Sequence, residues 1–316
     1  MHNIPPLNKS ALADIQAIIN NKTKPLGSLG DLENVAEQLM LIQLQRHEEF
    51  ADKSANNNKV SSQTERGEVK ENLLKKHYLS VDNPMMLVFA GDHGINEQHV
   101  SIAPSAVTTQ MVSNFLTGGA AINCFCRSND IAMTVIDCGI LFPEELPSYE
   151  GNNLQVNFIN QSLGNGTENF SEQSAMTLAQ VEQGFDFAKS LITSQLTKGV
   201  DVFLLGEMGI ANTSSASALM SALTGITVEE CVGIGTGISN EQLLRKKTLI
   251  SKALTRMHAS AENIDLNNLS SDNVNVLLSE LGGFEIVQLV GAILASAEAS
   301  VPVVIDGFIV TVAALI

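Results

Sequence analysis

Apolar positions recur at helical spacing over the first fifty residues and in short strand-like runs after about residue 84. Ser10 caps a predicted helix that runs through Asn20. Asp31 caps a second predicted helix, in which Leu32, Val35, Ala36, Leu39, Met40 and Ile42 recur at helical intervals. Between them, Lys24-Pro25-Leu26-Gly27-Ser28-Leu29-Gly30 is a turn-rich connector. From Ala51 to about Asn83 the composition shifts to Asn, Ser, Lys and Glu, which predicts a solvated insertion with a short helix near Val69 to Tyr78. The expected division is therefore residues 1–50 as the helical part of a small domain, 51–83 as a polar linker, and 84–316 as a large α/β domain.

The later part alternates. Apolar, β-prone runs occur at Met85–Ala90, Ile131–Ile136, Leu154–Ile159, Asp201–Leu205, Cys231–Ile234 and Val301–Ile305. Helical patterns separate most of them, at Ser105–Leu116, Ser174–Leu196, Asn212–Leu223, Ser239–His258 and Phe284–Ala299. Strands apolar on both faces and alternating with helices predict a mostly parallel sheet covered on both sides. Right-handed crossovers place all strand C-termini on one edge, where open α/β sheets bind ligands.

Composition narrows the classes of partner. The 316 residues are 44% hydrophobic and 16% charged, a balance typical of a folded globule. Thirty-four acids against 18 bases give a net charge of −16, which argues against nucleic acid and anionic membranes as partners. A small anion is still accommodated, because helix N-termini and backbone amides hold phosphate locally. No secretory signal opens the chain, and the apolar runs near its end are too short to span a bilayer. Cys124, Cys126, Cys138 and Cys231 lack zinc spacing and predict reduced, buried or semi-buried thiols in a cytoplasmic protein.

The strand ends carry the candidate chemistry. Gly91-Asp92-His93-Gly94 follows the first strand, and Asp137-Cys138-Gly139 the second. Gly206-Glu207-Met208-Gly209-Ile210-Ala211-Asn212-Thr213-Ser214-Ser215 follows the Asp201–Leu205 run, and Asp306-Gly307-Phe308 follows Val301–Ile305. Glu207 beside a helix start suits a site for sugar hydroxyls and phosphate; alternatively, Glu207 is a solvated loop acid and Asn212 or Thr213 a plain N-cap. Asp92 and His93 are either site residues or a turn cap and a satisfied loop histidine. A lone Asp-His pair is poor support for a metal, and none is expected. Asp306 is either a site acid or the N-cap of a helix beginning at Phe308. Gly233-x-Gly235-x-Gly237 has the wrong spacing and position for a dinucleotide fingerprint, which makes a nicotinamide-dependent dehydrogenase a third-ranked reading.

In order, these segments resemble one family, the nicotinate-nucleotide–dimethylbenzimidazole phosphoribosyltransferases. Lys24-Pro25-Leu26-Gly27-Ser28-Leu29-Gly30-Asp31-Leu32-Glu33 resembles its N-terminal signature. Asp92-His93-Gly94 with Pro104 and Val107-Thr108 is similar to its base-pocket segment. Gly206-Glu207-Met208-Gly209-Ile210-Ala211-Asn212-Thr213 resembles its G-E-x-G-x-x-N-T motif, and Gly233-Ile234-Gly235, Gly282-Gly283-Phe284 and Asp306-Gly307-Phe308 follow in the family's order. The resemblance implies an α/β fold: a Rossmann-like three-layer domain with a parallel sheet, plus a second, small helical domain, as a homodimer without cofactor or metal. It implies transfer of ribose 5-phosphate from nicotinate mononucleotide to 5,6-dimethylbenzimidazole, giving α-ribazole 5′-phosphate and nicotinate in cobamide assembly. Glu207 and Asp306 become the candidate catalytic carboxylates. The substrate-binding candidates are Asp92, His93, Ala103, Pro104, Gln110, Gly206, Met208, Gly209, Asn212, Thr213, Gly235 and Lys246.

Two departures qualify this. The family's general base is a glutamate in a C-terminal L-G-E-G-[ST]-G-A motif that these 316 residues lack, so the expectation is a chain truncated before its base. The alternative that follows is an inactive or heteromer-dependent nucleotide- or base-binding relative. Ala103 also stands where some relatives have serine, and Gln110 is one position from their pocket glutamine, which leaves the preferred aromatic base open.

Overall fold

The computed structural model describes residues 4–58, 79–146, 156–235, 237–260 and 270–316. The predicted helix near Val69 to Tyr78, the start of the predicted Leu154–Ile159 strand and Thr236 lie outside them. Two compact units are present: Asn83–Ile293 with Val304–Ile316, and His2–Asp82 with Leu294–Val303.

In the second unit α1 spans Leu12–Asn20 and α2 spans Asp31–Asn58. The helix thus continues past the composition change at Ala51, where Ala51, Lys53 and Ala55 keep helical propensity although the apolar pattern stops. Ala11, not Ser10, is the N-cap of α1, with no side-chain hydrogen bond, and Ser10 instead donates its backbone N–H to Asn8 Oδ1 at 3.0 Å. The buried contacts are Ala11 and Ile15 against Met40, Leu41 and Leu44, whereas Leu32 and Val35 are exposed. In the intervening connector Glu33 Oε1 accepts from Lys24 Nζ at 2.7 Å and from Leu29 N at 3.2 Å. Those two bonds, the lysine's first, hold the Glu33 carboxyl below its ordinary range.

The first unit is built on a five-stranded sheet ordered β3-β2-β1-β4-β5, with β1 at Pro84–Gly91, β2 at Ala132–Gly139, β3 at Val156–Asn160, β4 at Val202–Met208 and β5 at Val303–Val304. β1 pairs in parallel with β2 and β4, and β2 with β3. Every β1 residue after Pro84 is buried, as an interior strand covered on both faces requires. On one face Met86, Val88 and Ala90 join Val112, Phe115, Leu116, Met133 and Val135 in a continuous apolar cluster. Each such buried aliphatic or aromatic side chain contributes about 1.5–3 kcal/mol.

The helices that follow α2 among the described residues are α3 at Ala106–Leu116, α4 at Ala121–Ser128, α5 at Leu178–Leu196, α6 at Asn212–Thr224, α7 at Val228–Cys231, α8 at Asn240–Ser260, α9 at Ser271–Leu281, α10 at Phe284–Glu298 and α11 at Phe308–Leu315. Two predicted strands fail. Cys231–Ile234 is the end of the one-turn α7 followed by an exposed glycine loop, so no neighbouring strand pairs with it. Val301–Ile305 contributes only Val303–Val304, because Pro302 has no N–H to give a ladder. Of the thiols, Cys126, Cys138 and Cys231 are buried but Cys124 is exposed, contrary to the expectation of four sheltered cysteines.

Candidate active site

Strand order reverses between β1 and β4, so the loops leaving those neighbours diverge and open a crevice at their C-terminal ends. The register places Ala90 opposite Met208 and Phe89 opposite Glu207, which brings Asp92-His93 and Glu207-Met208-Gly209 to one edge. Gly209 makes this approach possible: a Cβ there would stand 2.4 Å from the Gly91 carbonyl oxygen. Ala211 then turns the chain into α6 with φ +74°, a left-handed conformation that strains a non-glycine residue.

Asp92 is fully buried and ties three segments together. Its Oδ1 accepts from Thr108 Oγ1 at 2.6 Å and its Oδ2 from Leu141 N at 2.9 Å, while Thr108 Oγ1 accepts from Ile210 N at 3.2 Å. Burial raises its carboxyl above the ordinary range despite these bonds. The following turn, Gly94–Gln98, begins at His93 with no side-chain cap, so Asp92 does not cap it. His93 Nε2 stands 2.7 Å from Glu285 Oε1, both side chains fully buried. Burial alone lowers a histidine pKa, but the charge and hydrogen bond of Glu285, with Asp92 and Glu207 adding, raise this one overall.

Glu207 is half-buried at the end of β4, and its Oε2 accepts from Asn212 Nδ2. Burial first, then the negative charge of Glu285, pushes its carboxyl up to about 7. The next residue, Thr213, receives Lys246 Nζ on its Oγ1 at 2.6 Å. Lys246 is only 3% exposed, and burial pushes its ammonium down to about 8. Thus Asn212 and Thr213 cap nothing with their side chains; in the first turn of α6, one meets an acid and the other a buried base. Gly235, in the exposed loop after α7, comes near the same hydroxyl: a Cβ on it would lie 3.9 Å from Thr213 Oγ1.

Other predicted residues are dispersed. Gly206 is required by sheet packing, since a Cβ would meet Met86 Cε at 2.7 Å. Met208 is half-buried in β4; Ala103 is half-buried, its carbonyl accepting from Asn96 Nδ2 at 3.3 Å; Pro104 and Gln110 are exposed. Asp306 is exposed, and the N-cap of α11 is Gly307, so the capping reading of Asp306 is corrected. Among the described residues no three or more His, Cys, Asp or Glu side chains are placed to hold a metal ion, and no helix is long and apolar enough to cross a membrane. Sequence reasoning missed Glu285. Its signal was an acid in the first turn of the otherwise apolar Phe284–Glu298 helix, behind a Gly-Gly pair.

Comparison with known proteins shows the family. A family model described as Phosphoribosyltransferase matches residues 4–56 and 71–316. The nicotinate-nucleotide–dimethylbenzimidazole phosphoribosyltransferase of Vibrio vulnificus (strain CMCP6) is 46% identical over 310 residues, 98% of this chain and 78% of that protein. The protein of the same name from Shewanella sediminis (strain HAW-EB3) is 45% identical over 316 residues, all of this chain and 78% of its own length. A solved structure of the Thermus thermophilus nicotinate-nucleotide–dimethylbenzimidazole phosphoribosyltransferase superposes with a TM-score of 0.75 at 31% identity, covering 98% of this chain and 77% of that one. The chain, with its parallel sheet and its carboxylate and buried ammonium at the β1–β4 edge, belongs to the phosphoribosyltransferase family.

Proposed function

We propose that this chain transfers the phosphoribosyl group of nicotinate mononucleotide to 5,6-dimethylbenzimidazole, giving nicotinate and α-ribazole 5′-phosphate. The observation that carries the site assignment is the start of α6, where Asn212 meets Glu207 and Thr213 meets Lys246. The first turn of α6 thereby gathers a carboxylate and an ammonium on two adjacent residues. A substrate with a phosphate at one end and a cationic glycosidic nitrogen at the other matches that polarity.

In this reading Lys246, Thr213, the Gly235 loop and the N-terminus of α6 hold the phosphate. Glu207 faces the ribose. When the C1′–N bond breaks, its electron pair returns to the pyridinium nitrogen and positive charge develops on the sugar ring. An ionised carboxylate held beside that charge stabilises it without reorganising solvent. A lone pair of the incoming base closes on C1′ from the opposite face, and the base then gives up its N–H proton to solvent, since these 316 residues lack the family's general-base motif. Asp92 and His93 form the floor, while Ala103, Pro104, Gln110 and Met208 are assigned to the aromatic base by the family resemblance alone.

Glu207→Gln keeps the hydrogen bond from Asn212 but cannot ionise. Calorimetry should show weaker binding of nicotinate mononucleotide to the variant at pH 8; unchanged affinity removes Glu207 from the site. The same reading makes the protein a cytoplasmic homodimer, supported by the exposed Leu26, Leu29 and Leu32 of the smaller unit. Sedimentation at a monomer's mass at micromolar concentration would contradict it.

A further inference from the structure

We propose that Glu285 is a positioning residue of the transfer reaction, holding the His93 imidazole beneath the Glu207–Gly209 turn and so setting the placement and protonation of Glu207. This rests on the assignment of Glu207 to the ribose.

The geometry is specific. His93 follows β1, and Glu285 reaches its Nε2 from the first turn of α10 at 2.7 Å. The ring lies between two glycines: a Cβ on Gly283 would stand 2.4 Å from His93 Cε1, and a Cβ on Gly209 would stand 3.4 Å from His93 Cδ2. Glu285 is confined in the same way, because a Cβ on Gly91 would come within 3.0 Å of its Oε2 and one on Gly283 within 2.7 Å. Glycines on three elements therefore make room for one ion pair.

Stability does not account for the arrangement. His93 Nδ1 and Glu285 Oε2 are buried without hydrogen-bond partners among the described residues. A buried pair with unsatisfied polar atoms is a poor stabiliser compared with apolar residues of similar volume. What the pair does change is the electrostatics of the crevice. The titratable groups around it are Asp92, Asp137, Cys138 and Glu207, and Glu285 acts on Asp92, Cys138 and Glu207 through its charge. The helices α3, α6 and α11 carry no titratable side chain. Glu207 thus has its proton affinity raised by burial and by Glu285, and partly offset by the hydrogen bond from Asn212 and the charge of His93. A nucleotide with a cationic glycosidic nitrogen entering the crevice would find a carboxylate poised to give up its proton on binding.

The test is the pH profile of kcat/KM for nicotinate release by the intact protein and by the Glu207→Gln, Glu285→Gln and Glu285→Asp variants. Wild type should show an acid limb near pH 7 that Glu207→Gln abolishes. Glu285→Gln removes the repelling charge and should move the limb down by about one pH unit. Glu285→Asp keeps the charge on a shorter stem and should leave the limb in place with reduced amplitude. If Glu207→Gln retains the limb, the assignment of Glu207 fails, and this proposal with it. If Glu207→Gln loses the limb but Glu285→Gln leaves it where wild type has it, Glu207 stands and Glu285 is only structural. Should Glu285→Gln not fold, nitrogen-15 spectra of histidine-labelled wild type decide. His93 should remain doubly protonated above the pH where an ordinary histidine titrates, and loss of that proton at or below that pH would overturn the proposal.

Discussion

Replacing Glu207 with Gln should stabilise the fold while impairing substrate binding, and the size of the gain should depend on pH. The carboxyl titrates at about 7 in the folded protein against its ordinary 4.5, chiefly because burial disfavours the anion. Between those values the unfolded chain gives up this proton while the folded chain keeps it. Stability therefore falls as pH rises through that window and levels off above about 7. The shift amounts to roughly 3 kcal/mol, or roughly 2–3 kcal/mol once the solvent-facing side of a half-buried group is allowed for. Gln has the same shape, still accepts from Asn212 and never ionises. The variant should match wild type at pH 4.5 and exceed it above pH 7 by that amount, raising the melting temperature by roughly 5–10 °C for a domain of this size. Thermal melts followed by circular dichroism at pH 4.5, 6, 7 and 8.5 give the comparison. Parallel stability curves, or a variant less stable than wild type at pH 8.5, would refute the reasoning.

Other consequences can be checked directly. Lys246→Met should weaken nicotinate mononucleotide binding by about tenfold or more in calorimetry, the expected loss of one charge-assisted contact, without lowering the melting temperature. In wild type the same affinity should decline above pH 8, where the free ammonium loses its proton. Gly283→Ala forces a methyl to within 2.4 Å of His93 Cε1, so urea denaturation should show a loss of about 1–3 kcal/mol. Thr108→Val deletes the donor to Asp92 and the acceptor for Ile210 N, and a similar loss of about 1–3 kcal/mol is expected. Asp306→Asn alters an exposed side chain and should leave nicotinate release unchanged.

Much of this was legible because parallel strands announce themselves as uninterrupted apolar runs. Met85–Ala90 and Ile131–Ile136 became β1 and β2 with shifts of a residue or a few at their ends. Where an apolar run was short and its neighbours were glycine, as at Cys231–Ile234, the pattern could not separate a strand from one helical turn and a loop. The strand-end motifs located Asp92, His93 and Glu207, but not what they touch. The Glu285–His93 pair joins positions 192 residues apart, and no local periodicity encodes such a contact. Gly206 and Gly209 show the converse: both resemble ligand-facing glycines, yet the crowding at each comes from a protein neighbour, Met86 and the Gly91 carbonyl. Asn212 and Thr213 had the composition of a cap, but the turn was taken by Ala211 and their side chains were left to the carboxylate and the ammonium.

The most direct test of the central claim is a chromatographic assay with nicotinate mononucleotide and 5,6-dimethylbenzimidazole, comparing the intact protein with its Glu207→Gln and Lys246→Met variants. The account predicts equimolar nicotinate and α-ribazole 5′-phosphate from wild type, and a fall of about tenfold or more in kcat/KM from either substitution. Undiminished turnover in both variants would place the chemistry away from the β1–β4 edge and contradict it.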